Sequence, residues 1–250
     1  MCRFLGIVAD EPAPVGELIG DDIEPFLSLA CEHEHGWGVA HRGLNGAIHT
    51  TKAPERGDTS DRLRAWLRTC VTDMAVIHLR LASPGLPVSP GNTHPFGDTR
   101  AAFVHNGDYQ PRDCLEPSIA PDLLAAAEGQ TDSERYYLAV RTRMDSGVSP
   151  AKAVRQAAAD VRLLADGYVS LNCLLLTSGS LYAYQEHDPR SEVIQRRGET
   201  YFQLYYRSSD GRTLVASQGW PHPEPLWRQV PTQTVLAIGA GSAPVVVDGA

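Results

Sequence analysis

What most constrains this chain is the grouping of its short apolar runs into two sets, with two consecutive helical segments between them. The first set is Cys2 to Val8, Gly38 to His41, Ala47 to Thr51, Met74 to Leu81 and Ala101 to His105. The second is Ser170 to Thr177, Ser180 to Gln185, Tyr201 to Tyr206, Thr213 to Ala216 and Thr234 to Ile238. Each run has strand length and is bounded by turn residues; Leu175-Leu176-Thr177-Ser178-Gly179 and Ser209-Asp210-Gly211 read as hairpin connections. Between the sets, Thr131 to Met144 opens on Thr-Asp-Ser-Glu, and Pro150 to Leu164 repeats Ala and Val on one face, which predicts two adjacent helices. A further helix is expected over Ser60 to Cys70, where Leu63, Trp66 and Leu67 fall at helical spacing. Strands, then helices, then strands again predict an α+β fold with helices stacked on sheets rather than alternating β-α units.

The 250 residues, 42% of them hydrophobic, suffice for one large domain, and no repeat, low-complexity tract or linker divides them. The expectation is a single domain over residues 1–250. Lys52 to Asp61 reads as a polar surface loop. No stretch of about 18 apolar residues occurs, and Arg3, Asp10 and Glu11 near the start argue against a spanning helix or a secretory signal. A net charge of −8 and a pI near 5.6 without a basic run disfavour nucleic acid and anionic membrane, and neither is expected as a partner. The five cysteines, Cys2, Cys31, Cys70, Cys114 and Cys173, are odd in number and widely spaced, as suits a reducing cytoplasm.

Five short segments carry the chemistry. Cys2-Arg3-Phe4-Leu5-Gly6 begins with a residue that, once Met1 is removed, offers both a thiol nucleophile and a free α-amine to deprotonate it. In His35-Gly36-Trp37-Gly38-Val39-Ala40, two glycines allow close passage of backbone past another element or a ligand. Ile77-His78-Leu79-Arg80-Leu81-Ala82-Ser83 places a guanidinium near the end of an apolar strand, a costly position for a charge without a purpose. Asn92-Thr93-His94-Pro95-Phe96 and Phe103-Val104-His105-Asn106-Gly107-Asp108-Tyr109 complete the set. Taken singly, each has a plainer reading. Cys2 can be a small buried residue, Asn106-Gly107 a hairpin turn, Asp132 part of a helix N-cap, Arg80 half of an ion pair and His94 a satisfied structural histidine.

In this order the segments resemble the class II glutamine amidotransferases, members of the N-terminal nucleophile (Ntn) hydrolase fold. The resemblance runs from Cys2 to about Glu134 by motif. It extends through Leu171-Asn172-Cys173-Leu174-Leu175-Leu176-Thr177 and Leu214-Val215-Ala216-Ser217-Gln218 to short, stand-alone members such as the ergothioneine-pathway γ-glutamyl amidohydrolase. It implies a four-layer α-β-β-α sandwich of two antiparallel sheets. Cys2 is then the catalytic nucleophile, and Asn106 with the backbone N–H of Gly107 forms an oxyanion hole. Arg80 holds the α-carboxylate of a small-molecule γ-glutamyl substrate, Asp132 its α-ammonium, and Ser83 joins the substrate-binding set. The implied reaction is hydrolysis of a γ-glutamyl amide through a thioester on Cys2, with no metal or organic cofactor. Leu81 and Pro84 depart from the aromatic and histidine of the glucosamine-phosphate-synthase branch, and Gln218-Gly219-Trp220 departs from the ergothioneine branch.

The chain ends at Ala250 without an acceptor-modifying domain, so complete hydrolysis is expected over delivery of ammonia to a separate synthetase; a homo-oligomer is left open. Three other readings exist. A choloylglycine- or penicillin-acylase-type amidase also begins with Cys2, but has no use for Arg80 and Asp132. A non-catalytic subunit of the same fold has no use for the nucleophile and oxyanion positions. Cys31, His33 and His35, alternating with Glu32 and Glu34, resemble zinc ligands on one strand face but lack a second ligand group, so a polar loop is expected there.

Overall fold

The structure is a computed structural model that describes residues 2–247. Strand β1 (Arg3–Pro14) leads through helices α1 (Val15–Ile19) and α2 (Ile23–Ser28) to strands β2 (Trp37–Arg42) and β3 (Ile48–Ala53). Helix α3 (Asp61–Thr69) precedes β4 (Val71–Leu79), β5 (Phe96–Gly97) and β6 (Ala101–Gln110). Three helices follow: α4 (Pro121–Ala125), α5 (Asp132–Asp145) and α6 (Pro150–Leu164). The chain continues with β7 (Gly167–Thr177), β8 (Leu181–Tyr184), α7 (Glu192–Arg197), β9 (Leu204–Ser209) and β10 (Arg212–Ser217). Short strands β11 (Arg228–Gln229), β12 (Val235–Ile238) and β13 (Val245–Val247) close it.

These strands form two antiparallel sheets, one in the order β11-β9-β10-β1-β4-β2-β3 and the other β13-β12-β8-β7-β6-β5. Period-two alternation sorts the side chains into layers. From β1, Phe4 and Val8 pack between the sheets against Val104, Leu174, Leu176 and Leu181. Leu5 and Ile7, from the same strand, face outward onto Val15, Phe26, Leu63 and Leu67 of α1, α2 and α3. On the far side, Phe103, Cys173 and Leu175 face Tyr136 and Val140 of α5 and Ala157 and Val161 of α6. The result is the expected α-β-β-α order. Gly6 lies on the inter-sheet face, where a Cβ would come within 2.7 Å of Leu181 and 2.9 Å of Leu174; the sheets meet closely there.

Local chemistry explains the helix starts. Ser60 caps α3 by accepting from the Leu63 N–H at 3.3 Å, and Thr131 caps α5 by accepting from Glu134 N–H at 3.1 Å. Asp132 is therefore not the cap but the first helical residue. Glu134 does not close a capping box; its carboxylate accepts from the Glu128 and Gly129 amides at 2.8 and 2.9 Å and so ties down the preceding loop. The segment Asn106-Gly107 lies within β6, paired with Asn172 and Leu171 of β7, and is not a turn. Gly107 is required for another reason: a Cβ there would run into the Ser170 carbonyl.

Candidate active site

Register brings the candidate residues together. β1 and β4 pair Arg3 with Leu79, so one step further Cys2 lies opposite Arg80. On the other side of β4, the Arg80 N–H donates to the Gly36 carbonyl at 2.8 Å and His35 N–H to the Arg80 carbonyl at 3.0 Å. Alternation from Phe4 puts Cys2 on the inter-sheet side, alternation from Met74 and Val76 does the same for His78 and Arg80, and alternation from Ala102 and Val104 for Asn106. The α5 N-terminus closes the same end.

Cys2, Arg80, Ser83, Gly107 and Asp132 line one small cavity of about 20 Å³, with Leu86, Asn92, His94 and Ser133 among the remaining wall residues. Asn106, fully buried, is the residue before Gly107. Larger depressions exist elsewhere, for example about 390 Å³ around Lys52, Phe96 and Tyr137, but the cavity at Cys2 is where the polar groups converge. The Cys2 thiol lies 3.6 Å from the Leu81 carbonyl, and burial pushes its pKa up; the resting group is a thiol that needs a base.

Several buried polar atoms here lack a hydrogen-bond partner: Arg80 Nη1, Asp132 Oδ2, both amide atoms of Asn106 and both ring nitrogens of His94. Unpaired buried polar atoms are costly and uncommon, and their concentration around one cavity marks a site built for a ligand's polar groups. Arg80 Nη2 donates to the Pro87 carbonyl at 3.2 Å, and Asn92 Nδ2 donates to the same oxygen at 3.2 Å, so the 83–89 loop is folded over the guanidinium. Ser83 Oγ donates to Asp108 Oδ1 at 3.4 Å. The Ala82 N–H donates to His35 Nδ1 at 3.0 Å, which ties the residue before that loop to His35.

Asp132 is pushed up to about 7, chiefly by burial and secondarily by the neighbouring Asp108 carboxylate. Its Oδ2 lies 3.8 Å from His105 Nδ1. That histidine contacts the Ser170 carbonyl through Nε2 at 3.0 Å and Ser133 Oγ through Nδ1 at 2.9 Å, and burial lowers it to about 4. With Nε2–H donating to a carbonyl, Nδ1 accepts from Ser133, and the ring serves to hold the start of α5 against β6. The Tyr109 hydroxyl donates to the Asp132 carbonyl at 2.7 Å and fixes that helix start from below.

The sequence left His94 outside the chemistry as a satisfied structural histidine. Instead its two nitrogens have no partner, and it lines the cavity; the only available signal was its place in Asn-Thr-His-Pro. Ser133 was also missed, although it directly follows Asp132. The Cys31, His33 and His35 cluster does not sit on a strand: Cys31 ends a 3₁₀ turn (Leu29–Cys31) and is exposed, and His33 Nδ1 contacts the Leu29 carbonyl at 2.6 Å. Among the described residues no three His, Cys, Asp or Glu side chains are placed to hold a metal ion, and no helix is long and apolar enough to cross a membrane.

Comparison with solved structures gives the same architecture. A glutamine aminotransferase class-II domain protein from Silicibacter pomeroyi superposes with a TM-score of 0.72 at 20% identity, covering 100% of both chains. A predicted glutamine amidotransferase from Pseudomonas aeruginosa does so at 0.53 and 19% identity, over 99% of this chain and 100% of that one. Glutamine phosphoribosylpyrophosphate amidotransferase from B. subtilis, complexed with ADP and GMP, matches at 0.61 and 15% identity over 95% of this chain but only 47% of its own. The fold is thus that of the Ntn amidotransferases. No functionally curated protein matches in sequence. The family of class-II glutamine amidotransferases matches residues 1–219, and by that match, over most of its length, this chain belongs to the class II glutamine amidotransferases.

Proposed function

We propose that the protein hydrolyses a γ-glutamyl amide, glutamine or a γ-glutamyl conjugate, through a γ-glutamyl thioester on Cys2. After removal of Met1, the Cys2 α-amine takes the thiol proton while Sγ attacks the side-chain carbonyl carbon. The negative charge that develops on oxygen falls to the Asn106 side-chain amide and the Gly107 N–H. The C–N bond then breaks, the protonated α-amine returns its proton to the leaving amine, and the thioester remains. Water attacks the thioester, the C–S bond breaks, and glutamate leaves.

The observation that carries this reading is the set of unpartnered buried atoms around Cys2. Arg80 Nη1 and Asp132 Oδ2 are complementary to the α-carboxylate and α-ammonium of an amino acid, with Ser83 beside them on the cavity wall. The raised Asp132 fits a carboxyl that awaits a cation, because an arriving ammonium offsets the cost of its burial. Arg80 would exchange the Pro87 carbonyl for the substrate carboxylate, so binding opens the 83–89 loop and enlarges the cavity. We take the whole chain to act as one amidotransferase domain in the cytoplasm, completing hydrolysis by itself.

The test is glutamate release from glutamine by protein whose Met1 is shown by mass to be removed. Wild type should release glutamate and ammonia in equal amounts, and Cys2→Ala should release neither while keeping its fold. Release by Cys2→Ala at the wild-type rate would overturn the mechanism.

A further inference from the structure

We propose that His94 positions the water that hydrolyses the γ-glutamyl thioester, an inference that rests on the reaction proposed above. His94 is 4% exposed, lines the cavity together with Cys2 and Gly107, and is buried with neither ring nitrogen partnered. With the glutamyl group in the opened cavity, a water beside it still needs two or more polar neighbours, and the His94 ring nitrogens are one source of them. A second unpartnered nitrogen is close by. His78 contacts the His105 carbonyl through Nε2 at 3.2 Å, which makes Nε2 the donor and leaves Nδ1 an unpartnered acceptor.

The ring is held where a positioning group must be held. It packs on His78 with centroids 4.1 Å apart and on the edge of Phe96 at 4.7 Å, and the His94 carbonyl rests against Gly38. Burial keeps both His94 and His78 neutral. A neutral imidazole presents one donor and one acceptor, so it can orient a water by accepting from one O–H and leave an oxygen lone pair directed at the carbonyl carbon. In the step itself the water oxygen bonds to that carbon, its proton passes to the Cys2 α-amine, the C–S bond breaks, and the thiolate is reprotonated from the amine.

The test separates formation of the thioester from its breakdown. His94→Phe keeps a ring of similar size and removes both nitrogens; His94→Leu provides the same readout from a smaller side chain should the first not fold. Loss of water positioning should lower kcat for glutamine by about 10- to 100-fold, with KM falling in parallel and kcat/KM little changed, because kcat/KM reports only the steps through thioester formation. Quenched intact mass should show a γ-glutamyl adduct accumulating on Cys2. Hydroxylamine, a stronger nucleophile, should restore turnover as the hydroxamate. A variant that loses kcat/KM together with kcat and accumulates no adduct would overturn the role. So would a variant that clears the adduct at the wild-type rate. Absence of Cys2-dependent glutamate release from wild type would instead remove the underlying reaction.

Discussion

Gly38 and His94 are in backbone contact: the His94 carbonyl oxygen occupies the place a Cβ on Gly38 would take, and Pro95 Cδ would lie 2.8 Å from that Cβ. The glycine in β2 is thus what lets the His94-Pro95 segment lie across the sheet beside Cys2. Gly38→Ala should destabilise the fold by about 1–3 kcal/mol, the range for overpacking. Thermal unfolding should show this as a Tm several degrees lower. Activity should fall as well, because the displaced segment carries a wall of the cavity.

In the proposed reaction, Asp132 links stability to substrate binding. Its folded-state pKa, about 7, exceeds the ordinary 3.8, so between these pH values the folded protein keeps a proton that the unfolded chain has lost. Stability from this group therefore declines as pH rises from about 4 to about 7, and the penalty, at most about 4 kcal/mol, is fully present above 7. Asp132→Asn should raise Tm at pH 8 while having little effect at pH 4, and should lose glutamine turnover. Equal Tm shifts at both pH values would contradict the assignment. For the wild type, kcat/KM should fall as pH drops through 7 and the carboxylate proposed to meet the substrate ammonium is neutralised.

Arg80 presents one guanidinium nitrogen to the Pro87 carbonyl and leaves another unpartnered. Arg80→Lys retains the charge but loses the fork that grips a carboxylate at two points. KM for glutamine should rise about tenfold or more, with kcat changed much less. A kcat loss at constant KM would place Arg80 in the chemical step instead.

Asn106 is fully buried in β6 with an amide that makes no hydrogen bond. Its removal by Asn106→Ala should leave the folded state nearly intact and lower kcat by about 10²- to 10³-fold, the cost of one oxyanion donor. Gly107→Ala makes the contrast: its methyl meets the Ser170 carbonyl, so that variant should lose stability before activity can be read. Circular dichroism with urea titration distinguishes the two.

Ten of the strands and the three longer helices are legible in the sequence because each carries its own periodic apolar pattern or cap, as Ser60 and Thr131 show for α3 and α5. Helices α1 and α2 were not, since at five and six residues each spans less than two turns and Gly20 and Pro25 interrupt the pattern. Strands β11 and β13, of two and three residues, exist by pairing with β9 and β12 and have no local signature. The site was legible where a costly residue type stood in a telling place: Arg80 at the end of an apolar strand, Cys2 at the start. Taken singly, Asn106-Gly107 reads as a turn because local propensity favours one; pairing with β7 overrides it. That both nitrogens of His94 go unpartnered follows from three elements meeting in space, which no short segment records.

A γ-glutamyl pocket with Cys2 as its nucleophile is tested most simply by reaction with 6-diazo-5-oxo-norleucine followed by intact mass and peptide mapping. A single adduct on Cys2 of a chain lacking Met1, blocked by excess glutamine and absent in Cys2→Ala, is the predicted result. A chain with free Cys2 that remains unlabelled, or a label shared among Cys31, Cys70 and Cys114 regardless of glutamine, would mean that Cys2 is not the nucleophile of a γ-glutamyl pocket.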